Sequence, residues 1–288
     1  MQVRAYGKVN LYLDVLDRRP DGFTNIETIF QTVSLHDTLT FEPREQGLGM
    51  TCSDPTLEVD DSNLVLRAAR LLQEQSGCDK GVHIHLEKHI PIAGGMAGGS
   101  VDAAAALRAL NQLWTLELDE AALHVCALAL GSDVPYCLMG GTVAATGRGE
   151  ILERIEPLPE ISFVIVQPPL GISAGAVYGH PSLTRNEEAP VVGRTPSFER
   201  AVRSLREGRV ADVMFNRMES AIFVMHPVLA DLKKRMLDAG CAQAIVSGSG
   251  PTLVGLCHTQ PNATQIAELF SEAPTLVAQS VTNAIVID

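Results

Sequence analysis

Four glycines within six residues, Gly94, Gly95, Gly98 and Gly99, lead straight into Ser100 and an alanine-rich segment whose Leu107, Leu110 and Trp114 recur at helical spacing. This junction constrains the chain more than any other stretch. Without Cβ atoms, such a loop can take left-handed backbone angles and bring its N–H groups close to a bound group. A helix N-terminus adds unsatisfied donors and the positive end of the helix dipole, so the combination suits an oligophosphate ligand. For isolated glycines a tight turn is the better reading, but four at a helix entrance reverse that preference. No G-K-[ST] follows, and the spacing does not fit G-x-G-x-x-G, which disfavours the common nucleotide-binding folds. The glycines are expected at the entrance of the helix, not within it.

The flanking pattern mixes strands and helices. Val9, Leu11, Leu13 and Val15 alternate as in a half-buried strand, and Leu35 to Phe41 gives a weaker case. A helix is expected from Asn63 to a stop at Gly77, and another from an Asp119 N-cap to Leu130 before Gly131. Ser132, Asp133, Val134 and Pro135 then read as a turn. Between the first helix and the glycines, Val82, Ile84 and Leu86 alternate with His83, His85 and Glu87. The histidines, with His89, have a metal-ligand reading, but solvent-facing strand positions explain them better.

At 288 residues, two medium domains are expected, with a boundary near residue 155 beside Pro157 and Pro159. The units are 1–155 and 156–288. In the second, ISFVIVQPP reads as a buried strand, Ser182 to Ser197 as a loop, SFERAVRSLREG and HPVLADLKKRMLDAG as helices, and AQAIVSGSGPTLVGL as strand-like. A last helix and strand follow. The order suggests α+β layers and not a doubly wound sheet.

Charge narrows the partners. The 22 basic and 34 acidic residues leave a net charge of -12, which repels nucleic-acid phosphate and anionic lipid. The six cysteines form no C-x-x-C pair, so neither a disulfide framework nor a zinc site is suggested. With no signal-peptide pattern and no membrane-length apolar run, a soluble cytoplasmic protein acting on a small molecule is expected, as monomer or homodimer.

The run KHIPIAGGMAGGSVDAAAALRALN, from Lys88 to Asn111, has the form P-x-x-G-G-x-x-G-G-S-x-D-A-A. It resembles the phosphate-binding loop of the GHMP kinases. Seven further segments agree in order and spacing: AYGKVNLYLDV, RRPDGFTNIETIF, SNLVLRAA, GSDVPYCLMGGT, ATGRGEIL, NRMES and VSGSGPTLVGL.

The resemblance implies a two-domain α+β fold, with an N-terminal unit like the second domain of ribosomal protein S5, a C-terminal ferredoxin-like unit and the active site between them. It implies transfer of the ATP γ-phosphoryl group to the 2-hydroxyl of 4-diphosphocytidyl-2-C-methyl-D-erythritol, with Mg²⁺ delivered by ATP and no metal ligands assigned. Lys8 and Asp133 match the catalytic lysine and aspartate. The ATP loop is matched by Pro91, Ile92, Ala93, Gly94, Gly95, Met96, Ala97, Gly98, Gly99, Ser100 and Val101, with Ser100 offering a hydroxyl to phosphate or to Mg²⁺. Asn63 is a further nucleotide-side candidate, though a helix N-cap explains it equally well. Asn10, Phe23, Thr24 and Tyr178 fall on the substrate side, the aromatics where a cytosine would stack.

The match departs at several positions. D-G-F-T stands where the family has D-G-Y-H, so Thr24 replaces a histidine that helps read the cytosine edge. Met96 replaces leucine, Ala97 a glycine, Val101 a serine and Ala174 a threonine. Two other readings are a GHMP kinase for a sugar, homoserine or a mevalonate derivative, and a non-catalytic ligand-binding relative. A nucleic-acid module is opposed by the charge.

Overall fold

A computed structural model describes residues 1–156, 158–188 and 193–288. The first half runs β1 (Gln2–Arg18), β2 (Thr24–Arg44), β3 (Leu48–Cys52), α1 (Leu64–Ser76), β4 (Gly81–Glu87), α2 (Gly98–Leu113), α3 (Glu120–Leu130), α4 (Val134–Met139), β5 (Thr142–Thr146) and β6 (Ile151–Arg154). The second runs β7 (Ser162–Val166), α5 (Ala174–Gly179), α6 (Pro196–Arg206), α7 (Val210–Val213), β8 (Phe215–Asn216), α8 (Glu219–Met225), α9 (Pro227–Asp238), β9 (Gln243–Val246), β10 (Leu253–Cys257), α10 (Gln260–Ala267), β11 (Thr275–Gln279) and β12 (Ile285–Ile287).

The first sheet follows the order β12-β1-β2-β4-β3, with β5 on β2, β6 on β5 and β8 on β1. Strands β8 and β12 thus reach it from beyond residue 155. The second sheet has the order β11-β7-β10-β9, antiparallel throughout. Counted along the chain this is 4-1-3-2 with α9 and α10 interposed, the ferredoxin-like arrangement that the resemblance implies.

The strand β1 is not half-buried. Its Val9, Leu11, Leu13 and Val15 are buried as expected, but so are the alternate residues Lys8, Asn10, Tyr12 and Asp14. The cause is cover on both faces. The helix α2 packs against β1, while the Tyr12 ring meets Phe198 of α6 and Phe215 of β8 at centroid distances of 5.5 Å. Likewise β7 is buried at every position. Phe163 and Ile165 join the larger core, and Val164 and Val166 join the core under α8, α9 and α10.

Local punctuation works where side chains carry it. Asn63 Oδ1 accepts from Val65 N at 2.9 Å and Gly77 closes α1 at φ 68°. Asp119 Oδ1 accepts from Ala122 N at 2.8 Å to open α3. Elsewhere the structure corrects the reading. Gly98 and Gly99 are the first residues of α2, not its approach. Only Ser132 and Asp133 make the turn, and Val134 and Pro135 already open α4, where proline is suited because it lacks an N–H that would go unpaired.

AQAIVSGSGPTLVGL folds into the pair β9 and β10 across a glycine-containing turn. Of the expected loop from Ser182 to Ser197, residues 189–192 lie outside the described residues, as does Pro157, and Pro196 and Ser197 belong to α6. His83 and His85 are half-buried on the polar face of β4. Because β3 pairs alongside β4, both imidazoles meet Thr51 Oγ1, at 3.3 and 2.8 Å.

Candidate active site

A cavity of about 1060 Å³ lies between the glycine loop, β1, the turn before α4 and α5. Lys8, Asn10, Phe23, Thr24, Asp133 and Tyr178 all line it, together with most of the expected loop.

Lys8 enters from β1 next to a register shift between Tyr6 and Lys8, a bulge that re-aims the side chain. Its side chain is 5% exposed, and Nζ donates to Asn10 Oδ1 at 2.7 Å and to Gly95 O at 3.2 Å. Asp133 Oδ2 lies 3.6 Å away. Asp133 sits at the N-cap position of α4 but makes no capping hydrogen bond, and its side chain is 36% exposed. The ammonium is therefore fixed and the carboxylate open to the cavity. A carboxylate so placed can take a hydroxyl proton, while the ammonium offsets charge on that oxygen and on a transferring phosphoryl group. Asn10 is itself held, since its Nδ2 donates to Thr28 Oγ1 at 2.8 Å.

The loop is shaped by contacts as much as by glycine freedom. Ala93, Gly95 and Ala97 have φ of 55°, 77° and 57°, and for each alanine the left-handed region costs roughly 1–2 kcal/mol. A Cβ on Gly95 would sit 2.2 Å from Ser247 O, and one on Gly94 2.8 Å from Thr252 Oγ1. The glycine loop thus presses on the turn between β9 and β10, and Ser247 Oγ donates to Gly95 O at 3.0 Å. Gly98 has another reason, because its Cβ would lie 2.8 Å from Lys88 Nζ. Gly99 is exposed, with only Leu64 Cδ1 near, at 3.8 Å.

Not every expected loop residue turns its side chain to the cavity. Met96 and Val101 are 1% and 0% exposed and pack into the main core, where apolar side chains of their size are held by neighbours. Asn63 lines the cavity, yet its polar atoms are taken by Val65 N and Glu58 O. The side chains of these three are committed elsewhere, and the contact that the resemblance implies for the loop is one of its backbone, which Met96 and Val101 still form.

On the opposite side, Phe23 is 47% exposed and the Arg148 guanidinium lies 4.7 Å from its ring centroid. Tyr178 comes from α5, and burial, reinforced by the charge of Asp133, pushes its phenol up to about 12, so it stays neutral.

Sequence reasoning missed Arg18, Arg148, Arg185, Gly248 and Ser249, which also line the cavity. It further missed Lys88 and Asp102 with their partner Asp37. Asp102, the polar residue within the apolar run 101–107, was the available signal. Burial pushes its carboxyl up to about 8, against the pull of Lys88 and with help from Asp37. Among the described residues, no group of three or more His, Cys, Asp or Glu is arranged to hold a metal ion.

Residues 63–141 match the family description "GHMP kinases N terminal domain", and residues 197–274 match "GHMP kinases C terminal". The chain is 41% identical to the 4-diphosphocytidyl-2-C-methyl-D-erythritol kinase of Pelotomaculum thermopropionicum, over 92% of each sequence. It is 40% identical to that of Moorella thermoacetica, over 93% of this chain and 94% of the relative. A crystal structure of 4-(cytidine 5'-diphospho)-2C-methyl-D-erythritol kinase superposes with a TM-score of 0.83 at 34% identity, covering 97% of this chain and 99% of the other. A homoserine kinase from Cytophaga hutchinsonii superposes with a TM-score of 0.75 at 21% identity, covering 100% and 97%, and shares the fold. With an open Asp133 beside a fixed Lys8 under a glycine loop, the chain belongs to the 4-diphosphocytidyl-2-C-methyl-D-erythritol kinase family of GHMP kinases.

Proposed function

We propose that this chain transfers the γ-phosphoryl group of ATP to the 2-hydroxyl of 4-diphosphocytidyl-2-C-methyl-D-erythritol, a step of non-mevalonate isoprenoid synthesis. Family membership carries the reaction class. The observation that carries the chemistry is the 3.6 Å approach of Lys8 Nζ to Asp133 Oδ2 at the cavity wall.

The substrate hydroxyl approaches Asp133, and its oxygen attacks the γ-phosphorus as the bond to the β-phosphate oxygen breaks and ADP leaves. Asp133 accepts the hydroxyl proton. In a loose phosphoryl-transfer transition state little proton removal is needed early, so Lys8 has the larger early role, offsetting charge on the attacking and transferring oxygens. Asn10 holds Lys8, and the loop N–H groups with the start of α2 bind the phosphates. Magnesium bound to ATP would supply further charge neutralisation, with the Ser100 hydroxyl as its candidate contact from this chain. Phe23 and Tyr178 bind the cytosine, with Thr24 beside them.

The proposal divides the chain near residue 155, the second unit lending β8 and β12 to the first sheet. It includes a cytoplasmic site of action for an acidic chain with six free cysteines. No helix among the described residues is long and apolar enough to cross a membrane.

Thr24 is the feature that favours another GHMP acceptor. Purified protein with Mg-ATP and the cytidylyl substrate, followed by phosphorus NMR, decides between them. A new phosphomonoester on the 2-hydroxyl is expected; phosphate on another hydroxyl, or none, contradicts the reading.

A further inference from the structure

Three ionisable side chains meet at the foot of the glycine loop, apart from Lys8 and Asp133, and two of them, Lys88 and Asp102, also border the cavity. Lys88, between β4 and the loop, directs its ammonium at Asp37 of β2 and at Asp102 of α2, with Asp102 Oδ2 at 2.9 Å. Their side chains are 4%, 0% and 2% exposed. Asp37 Oδ1 also accepts from His89 N at 2.6 Å and Ile90 N at 2.8 Å. Asp37 therefore grips the backbone that enters the loop, and Lys88 joins that grip to the helix that leaves it.

The fit is close. The space a Cβ on Gly98 would need is taken by Lys88 Nζ, so the first residue of α2 rests on the ammonium. A buried ion pair adds little net stability, because desolvation offsets its attraction. Simple stabilisation of the fold is thus a weak reason for burying an ammonium with two carboxyl groups. Their placement at both ends of the loop supplies a stronger one.

We propose that Lys88, Asp37 and Asp102 form a clamp that fixes the spacing between the two ends of the phosphate loop, which makes them positioning residues for ATP. The proposal rests on the kinase reading above. The two carboxylates do unequal work. Asp37 accepts from two backbone amides and Lys88, whereas Asp102 Oδ1 has no hydrogen-bond partner and only Oδ2 holds Lys88. An asparagine oxygen at 102 can still accept from Lys88. An alanine there cannot.

The test is calorimetry of a non-hydrolysable ATP analogue with Mg²⁺ on wild type, Asp102→Ala, Asp102→Asn and Lys88→Gln, with KM for ATP and for the alcohol substrate. Asp102→Ala and Lys88→Gln are expected to weaken the analogue by about tenfold or more, since small misplacements of binding groups are costly. Asp102→Asn should restore wild-type affinity, and KM for the alcohol should hold in all three. Unchanged affinity in folded Lys88→Gln or Asp102→Ala overturns the clamp, as does equal loss for both substrates or failure of Asp102→Asn to rescue. Should Asp102→Ala not fold, the contrast between Lys88→Gln and Asp102→Asn decides in its place. A wild type that does not bind the analogue contradicts the kinase reading instead.

Discussion

The two ends of the cavity are built from different materials. At the phosphate end, Gly94 and Gly95 press on the turn after β9, Gly98 rests on Lys88, and the ionisable groups around Lys88 are buried. At the base end, Phe23 is 47% exposed, with Arg148 over its ring, and Tyr178 stands on a helix of six residues. One grip belongs to the fold and the other to a few side chains on its rim. Damage to the first should reach stability and ATP together, and damage to the second should reach only the substrate.

Between the ends stands Asp133, whose loss has the largest expected effect. Asp133→Asn should lower turnover by about a hundredfold or more, the range of lost general-base catalysis, with ATP affinity and circular dichroism unchanged. A coupled assay beside calorimetry checks it.

Next comes a pair of glycines that separates fold from ligand. Gly95→Ala puts a Cβ 2.2 Å from Ser247 O at a φ of 77°, so both melting temperature and ATP affinity should fall, by about 2 kcal/mol or more in stability. Gly99→Ala has only Leu64 nearby, so its melting temperature should hold while ATP binding weakens. Equal melting losses in the two variants would break the comparison.

At the base end, Phe23→Ala or Tyr178→Ala should raise KM for the cytidylyl substrate by about 5- to 100-fold, the worth of one stacked base, and leave KM for ATP alone. Initial-rate kinetics with each substrate varied in turn checks this.

The smallest effect is a pH dependence confined to the phosphate end. Burial raises the Asp102 carboxyl above its ordinary value, against the pull of Lys88, so the folded state binds its proton more tightly than the unfolded chain does. Its contribution is complete below the ordinary carboxyl value and is lost as pH rises from there through the raised one. Asp102→Asn should flatten that fall in thermal denaturation. An unchanged slope would show that Asp102 does not carry it.

The same contrast explains what the sequence made legible. Asn63, Gly77 and Asp119 cap helices through contacts within a few residues, and the glycine loop announces itself through composition. Lys8 and Asp133 are reached through the family resemblance, and the structure brings them within 3.6 Å. The clamp was not legible, because Asp37 and Asp102 stand far from each other along the chain and meet only when β2 and α2 pack. Arg148 was hidden for the same reason, since its partner Phe23 lies on another strand connection. The burial of β1 on both faces likewise depends on α6 and β8, which arrive late in the chain.

The central claim is that this cavity phosphorylates a cytidylyl-linked polyol although Thr24 lacks the ring nitrogens with which a histidine would read a base edge. The direct measurement is kcat/KM for 4-diphosphocytidyl-2-C-methyl-D-erythritol, free methylerythritol, homoserine and mevalonate under one set of conditions with Mg-ATP. The cytidylyl compound should exceed each of the others by about a hundredfold or more, as expected when stacking and phosphate contacts are lost with the nucleotide. A higher kcat/KM for free methylerythritol, homoserine or mevalonate would contradict it.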